Sequence, residues 1–435
     1  MKWIVLILIV LVVALVFQMG LLAFSIYMLL AILWVSRLLV RSAVTKITVR
    51  RVCSHESAEV GDRVSVAIEL KNESKLPIPW VLIQDVMPYR ALVGAKPALQ
   101  IHGRRIRMAL IRAGKKKVMA YQFDCQRRGY FQVGPLLLET GDVFGLFRKF
   151  RLVDKPHFVL VTPQIVPLDG YALASRRPIG EVVLAHRRFE DPTRILGVRD
   201  YQSGDPFNRI HWKASARTGQ LQSKTYEPST IAGATLVIDF HHDSYHKDHE
   251  PVCSDLTIMA AASVANGLYE MGQQIGLVSN GRDAADRVRV EGHQLPKITR
   301  KIAKQLSVEE IRESRLRPVV SIARRGPEAI GRILELLARL ELNRGLDFGQ
   351  LLIETASRIP RDATVVACLS HVTESHVLAL GSLRQRGFSV SAILNIHDDL
   401  VFSDSAGPLM SVGIDVHWIK NQDSIATVCR NFVQF

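Results

Sequence analysis

No acidic residue occurs before Glu56. The chain is also poor in cysteine. Cys53, Cys125, Cys253, Cys368 and Cys429 are scattered and form no CxxC pair, which argues against a disulfide framework or a zinc ribbon and suits a reducing compartment. Neither a Walker A string nor GxGxxG occurs, so nucleotide binding by such loops is disfavoured. Only 22% of the 435 residues are charged and 48% are hydrophobic, which excludes a disordered or low-complexity chain and a many-spanning transporter. The 56 Lys and Arg outnumber the 41 Asp and Glu, for a net charge of +15. That excess is compatible with nucleic acid, an anionic membrane or an acidic partner.

Residues 1–51 carry Lys2, Arg37, Arg41, Lys46, Arg50 and Arg51 and no acid. From Trp3 to Val35 the chain is apolar apart from Gln18-Met19-Gly20. A single helix over that run would be about 50 Å long against a bilayer core of roughly 30 Å. Two transmembrane helices joined at Gln18–Gly20 are therefore expected over residues 1–40. Cations at both outer ends keep both ends cytoplasmic, with Trp3 and Trp34 as interface anchors. A cleaved signal peptide and a single tilted span are the alternatives. The first explains only the first apolar run, and no A-x-A site follows it.

Residues 44–165 alternate with period two, as in Thr45–Val52 and Arg63–Lys71, with turn chemistry at Gly61-Asp62 and Asn72-Glu73-Ser74. This predicts a β-sandwich. The basic run Arg104, Arg105, Arg107, Arg112 and Lys115–Lys117 reads as a solvated hairpin or as a contact with anionic lipid. Aromatics are not interleaved with these charges, so nucleic acid is not an expected partner.

Residues 166–232 form a connecting segment. Within it, Gly204 permits a tight turn, Asp205 suits an N-cap and Pro206 a first helical position, predicting a helix from Pro206 to Arg217. Arg209, Lys213 and Arg217 would then share one face. Those cations are expected to be answered by acids such as Asp200, Asp205 or Glu227, or to dock a partner. Arg199, Asp205, Arg209, Trp212, Lys213 and Arg217 are the candidate docking residues.

Residues 233–435 alternate strands with helices. Strands are expected at Ala234–Phe240, Gln274–Ser279, Ala363–Ser370, Phe388–Asn395 and Ile414–Ile419. Helices are expected at Ser254–Gly272, Pro327–Leu342, Phe348–Ser357, Thr373–Arg386 and Gln422–Val433. A largely parallel sheet with helices on both faces follows, and its ligand site belongs beyond the carboxyl ends of the strands. Residues 292–326 break the alternation as a basic, partly helical insert. The loop His241–Cys253 is rich in His and Asp, the ligand types of zinc and similar ions, but its spacing fits no tight template. It reads as a polar surface loop or as a metal site, the latter opening a metal-dependent hydrolase as an alternative function. Cys253 is expected to pack rather than to act as a nucleophile.

The run Gly197–Arg217, continuing through Leu221 to Glu227, resembles the hallmark of a bacterial family, domain of unknown function 58. Arg127-Arg128-Gly129-Tyr130, Val133-Gly134-Pro135, the string from Gly141 to Phe147 and the two-helix N-terminus are similar to that family as well. The resemblance implies a membrane hairpin, a β-sandwich and an α/β von Willebrand factor A-like (Rossmann-like) domain. It further implies work beside a MoxR-type AAA+ ATPase and its client protein, in protein maturation or at the envelope. It carries no catalytic residues, so a non-enzymatic adaptor at the bacterial inner membrane, with its soluble domains in the cytoplasm, is expected. A lipid-binding envelope factor is a further alternative. Von Willebrand A domains often hold Mg²⁺ through Asp-x-Ser-x-Ser. Asp239 matches the Asp, whereas His241 and Asp243 replace the serines, and a later strand end reads Ser370-His371. Asp239, His241 and Asp243 are thus the candidate ligands of a divalent ion, and no other cofactor is expected. Imidazole there is wrong for Mg²⁺.

Overall fold

The computed structural model describes residues 9–10, 12, 16–93, 96–142, 147–153, 156–167, 190–202, 207–228, 233–286, 317–360 and 363–433. Two compact units divide them. One holds the N-terminal helix and the strands up to residue 164, and the other holds the segment from residue 190 and the α/β sheet.

One long apolar helix, Gly20–Thr45, opens the first unit. At 26 residues it is about 39 Å long, enough to cross a bilayer core of about 30 Å. Its start is set by Gln18, whose φ of 51° interrupts the helical backbone where the sequence places its polar break. Ile9, Val10, Val12 and Val16 are helical, and the rest of the first expected span lies outside the described residues. Among the described residues, one helix rather than two is long and apolar enough to span.

The β-rich part contains two four-stranded antiparallel sheets and a three-stranded one. The first sheet runs Ile47–Cys53, Arg63–Asn72, Lys116–Cys125 and Leu99–His102 across its width. The second runs Arg148–Val153, Leu136–Gly141, Ile78–Asp85 and Ile106–Ile111. Alternation decides which side chains enter the core: Val64, Val66, Ile68 and Leu70 are all fully buried, and residues between them are not. Arg51 departs from the role its position suggests. Its side chain is buried, with Nη2 2.5 Å from Asp85 Oδ1 and Nη1 donating to the Val133 carbonyl at 3.1 Å. Tyr121 donates to Asp85 Oδ2 at 2.7 Å. Of the six cations that flank the apolar N-terminal run in the sequence, Arg51 is therefore spent inside the core.

In the second unit the six-stranded sheet is numbered here along the chain: β1 Gly233–Ile238, β2 Gln274–Ser279, β3 Val319–Arg324, β4 Thr364–Leu369, β5 Val390–Asn395 and β6 Asp415–Ile419. The order across the sheet is β3-β2-β1-β4-β5-β6. All neighbours are parallel except β3, which pairs antiparallel with β2. β1 and β5 are buried at every position, as expected of strands covered on both faces. Helices Val252–Glu270, Phe348–Thr355, Glu374–Gln385 and Gln422–Val433 lie where the periodicity predicts them. Two elements were not legible. β3 falls at the end of the basic insert, where edge pairing with β2 overrides the charge pattern. Helix Asp399–Ser411 contains Pro408, a helix breaker in sequence terms. The rest of the insert, residues 287–316, lies outside the described residues.

Candidate functional site

Chain order reverses between β1 and β4, and the carboxyl ends of the strands converge there. Asp239 follows β1, Asn280 follows β2, Ser370 follows β4 and Asn395 ends β5. Asp239 is fully buried. Ser244 Oγ donates to its Oδ2 at 2.5 Å, Asn280 Nδ2 to its Oδ1 at 2.8 Å, and the His241 backbone N–H to Oδ1 at 3.2 Å. His376 supplies the fourth contact. Its Nδ1 accepts the Thr373 backbone N–H at 3.1 Å, so the ring proton sits on Nε2, 3.4 Å from Asp239 Oδ2. That distance is at the long end for a hydrogen bond. The imidazole stacks on Phe348 at 4.9 Å and holds its place at the first turn of helix Glu374–Gln385.

Burial by itself pushes the Asp239 carboxyl up, but the contacts from His376, Ser244 and Asn280 outweigh it and hold the group below its ordinary value. A second polar layer lies beside it. Asn395 donates to the Cys253 carbonyl and to Thr257 Oγ1, each at 2.8 Å, and Tyr245 donates to the Asp239 carbonyl at 3.0 Å. Burial pushes the Cys253 thiol up, so this sulfur is a packed thiol and not a thiolate nucleophile.

Asp239, His241 and Asp243 do not come together as a ligand set. Asp243 is exposed and pairs with His242 at 3.2 Å. His241 Nδ1 accepts the Asp243 backbone N–H at 3.3 Å, and His246 caps the next short turn through Asp248 in the same way. The imidazoles of this loop serve as turn caps. Among the described residues no three His, Cys, Asp or Glu side chains form a metal-holding group. A carboxylate offers about four lone-pair sites. Three hydrogen bonds occupy them in part, His376 Nε2 faces the carboxylate from 3.4 Å, and an imidazole and an amide stand where Mg²⁺ needs oxygen. The residues present do not fit a divalent ion of that type. The sequence reading missed Ser244, Asn280, His376 and Asn395. Polar residues directly after apolar strand runs are the signal that locates two of these, Asn280 and Asn395.

The motif segment forms a separate piece of the same unit. Glu190–Asp200 pairs antiparallel with Gln222–Pro228, and Gln222 Nε2 donates to Asp200 Oδ1 at 2.6 Å. One continuous helix from Pro206 to Arg217 does not form. Phe207–Arg209 is a tight turn, Ile210 is buried and bridges to Ser223, and the helix begins only at Trp212. Pulling Ile210 into the hairpin forces the backbone out of helical geometry, so Arg209 leaves the face shared by Lys213 and Arg217. His211, not Asp205, caps helix Trp212–Thr218, accepting from the Ala214 N–H at 3.1 Å. Asp205 lies outside the described residues. Gly219 closes the helix in the left-handed region, with φ 72°. Ser215 Oγ accepts the Gln222 N–H at 2.9 Å, tying the helix to the strand. Arg199 donates to the Asp200 carbonyl at 3.1 Å. Trp212 is 69% exposed, and Lys213 and Arg217 are exposed with no ion pair among the described residues.

The family described as "Protein of unknown function DUF58" matches residues 197–312, which span this motif, β1 and β2. The uncharacterized protein YeaD of Bacillus subtilis (strain 168) is 25% identical over 225 residues, 51% of this chain and 53% of that protein. The chain thus spans about half the length of this curated relative. Both findings support the family resemblance carried by the central motif. Among solved structures, proximal thread matrix protein 1 from the mussel byssus is similar at 11% identity and TM-score 0.31, over 47% of this chain and 45% of that one. PapD-like domain 7 of human CEP192 is similar at 13% identity and TM-score 0.19, over 27% of this chain and 85% of that one. Likenesses this distant carry no argument.

Proposed function

We propose that this protein is a non-enzymatic, membrane-anchored adaptor that docks an acidic protein partner through helix Trp212–Thr218. The observation that carries the reading is the contrast between how firmly this helix is held and how little of it is buried. Both ends are capped, Ser215 ties it to the hairpin, and none of its residues is buried. Trp212 beside the exposed Lys213 and Arg217 is the side-chain chemistry of an interface anchor: a large ring, flanked by cations that an acidic partner would neutralise. The family resemblance supplies the partner, a MoxR-type AAA+ ATPase or its client.

In this reading the second unit is von Willebrand factor A-like, supported by its doubly wound sheet and by an acid at the carboxyl end of the first strand. Asp239 is structural in it: its donors are internal, and the polar layer holds the strand ends in register. That arrangement disfavours the metal-dependent hydrolase. Helix Gly20–Thr45 is the anchor, and Arg37, Arg41, Lys46 and Arg50 after its apolar part keep that end in the cytoplasm of a bacterial inner membrane.

The test uses the detergent-solubilised full chain and a purified MoxR-type ATPase. Combined Trp212→Ala, Lys213→Glu and Arg217→Glu should abolish co-elution with an unchanged melting temperature. Retained binding by the folded variant would sink the docking surface, and no binding by the unmodified chain would sink the choice of partner.

A further inference from the structure

The second antiparallel sheet of the first unit has an outer face that is buried at Gln84, Leu137 and Glu139 but left uncovered at its edge strand. In the edge strand Ile106–Ile111, Ala109 packs on the core and Ile111 is buried, so Ile106, Met108 and Leu110 face the opposite way. They are 44%, 67% and 56% exposed. Pairing registers carry this face across the sheet: Met108 stands opposite Leu82, Leu82 opposite Glu139, and Glu139 opposite Phe150, which is 42% exposed. An exposed apolar row on an edge strand is a liability in water unless something covers it.

Charge indicates what covers it. The two acids of this sheet, Asp85 and Glu139, are both buried. Arg107, Arg148 and Lys149 within the sheet are exposed, as are Arg104 and Arg112 at the ends of the edge strand. None of these five makes an ion pair among the described residues. By alternation Arg148 falls on the face of Phe150 and of the apolar row, whereas Arg107 and Lys149 have the parity of the core-facing residues and are exposed on the two edge strands. The exposed part of the outer face is thus apolar and cationic, its one acid, Glu139, being buried.

Position points to the same cover. Helix Gly20–Thr45 packs against Leu136–Gly141 and Arg148–Val153 of this sheet. Arg151 Nη1 donates to the Thr45 carbonyl at the helix end, 3.2 Å away. Phe150, Glu139, Leu82 and Met108 stand opposite one another in successive strand pairs. Met108 therefore lies three strand spacings, about 14 Å, from the strand that meets the end of the helix.

We infer that this sheet lies on the anionic headgroups of the bilayer its own helix enters, with Ile106, Met108 and Leu110 in the interfacial layer and the arginines on lipid phosphates. The inference rests on reading Gly20–Thr45 as a membrane anchor. It adds a second contact that fixes the orientation of the unit on the membrane surface, which a single helix does not do.

The test reconstitutes the full chain into nanodiscs of phosphatidylcholine alone and of phosphatidylcholine mixed with phosphatidylglycerol, and follows amide hydrogen exchange. Each cation near an anionic surface is worth about fivefold in occupancy. Exchange across residues 104–112 should therefore slow several-fold in the anionic discs, while β1 and β2 exchange alike in both. Combined Arg104→Glu, Arg112→Glu and Arg148→Glu should remove the difference. Should that variant melt early, the single exposed Met108→Glu should remove it instead. Equal exchange in the two lipids overturns the inference. So does protection in detergent that grows with protein concentration, which would mean that a second copy covers the face. Sodium carbonate extraction from vesicles separates the two readings: release of the chain overturns the anchor, whereas retention with equal exchange overturns only the lipid-facing sheet.

Discussion

Replacing Asp239 with alanine should damage the α/β unit far more than its position beside a polar loop suggests. The substitution removes the acceptor of Ser244 Oγ and the anion facing His376 Nε2, leaves Asn280 Nδ2 only its second bond to the Leu346 carbonyl, and opens a void at the end of β1. A buried donor deprived of its partner costs about 1–3 kcal/mol, and breaking a buried charged contact about 3–5 kcal/mol. Ser244 can turn towards another acceptor, so the net loss is about 3–5 kcal/mol, a large share of the roughly 5–15 kcal/mol that holds a domain together. For a unit of this size each kcal/mol lowers the melting temperature by about 2–4 °C, which gives a drop of roughly 10 °C. Circular dichroism melting of the detergent-solubilised full chain reads it. Asp243→Ala, at an exposed side chain, should stay within about 0.5 kcal/mol of the unmodified protein. Mg²⁺ and EDTA should leave all three melting curves where they are. A depressed folded pKa adds stability above the unfolded value that is lost as pH falls through the folded one. Asp239→Asn should accordingly flatten the acid limb of the unit. The reasoning is refuted if Asp239→Ala melts within about 2 °C of the unmodified chain, or if Asp243→Ala is as harmful.

Two further substitutions probe the first unit. Asp85→Asn removes the anion that the buried Arg51 faces and turns one of the two oxygens that Arg51 and Tyr121 share between them into a donor, and should cost about 3–5 kcal/mol. Tyr121→Phe loses one hydrogen bond and should cost nearer 1 kcal/mol, both read as melting shifts of the β-rich unit. Asp124, half-buried and held at about 2 chiefly by its hydrogen bond from Arg63, contributes stability that is complete above the ordinary carboxylate value and vanishes as pH falls towards 2. Asp124→Asn should therefore equal the unmodified chain at the acid extreme and fall behind it at neutral pH, and a single melting series from acid to neutral detects the divergence.

Periodicity carried a large part of the fold. Val64, Val66, Ile68 and Leu70 alternate so regularly that strand, buried face and sheet follow from composition alone, because a period-two apolar pattern has one way to bury itself. The same holds for β1 and β5, continuous apolar runs that only a doubly covered sheet accommodates. The motif helix shows where local rules stop. Gly204-Asp205-Pro206 is good start chemistry for a helix, yet burying Ile210 against the hairpin yields more than extending the helix by one turn, and the start moves to Trp212. Arg51 fails for a related reason. A cation after an apolar span reads as a headgroup anchor until the fold brings Asp85, 34 positions away, against it.

By itself, the sequence determined the apolar N-terminal segment and its break at Gln18, the order of a β-rich and an α/β part, and the position of Asp239 at the end of the first strand of the second. These depend on near-neighbour chemistry: hydropathy, turn residues and alternation. Only the tertiary structure decided what Asp239 does. The partners that satisfy it come from three further places in the chain, the loop at Ser244, the end of β2 at Asn280 and the helix start at His376, and no spacing rule joins them. It also decided that Arg148 shares a face with an exposed apolar row, on the sheet against which the apolar N-terminal helix packs. Strand register, a long-range property, brings charge, apolar area and that helix onto one sheet.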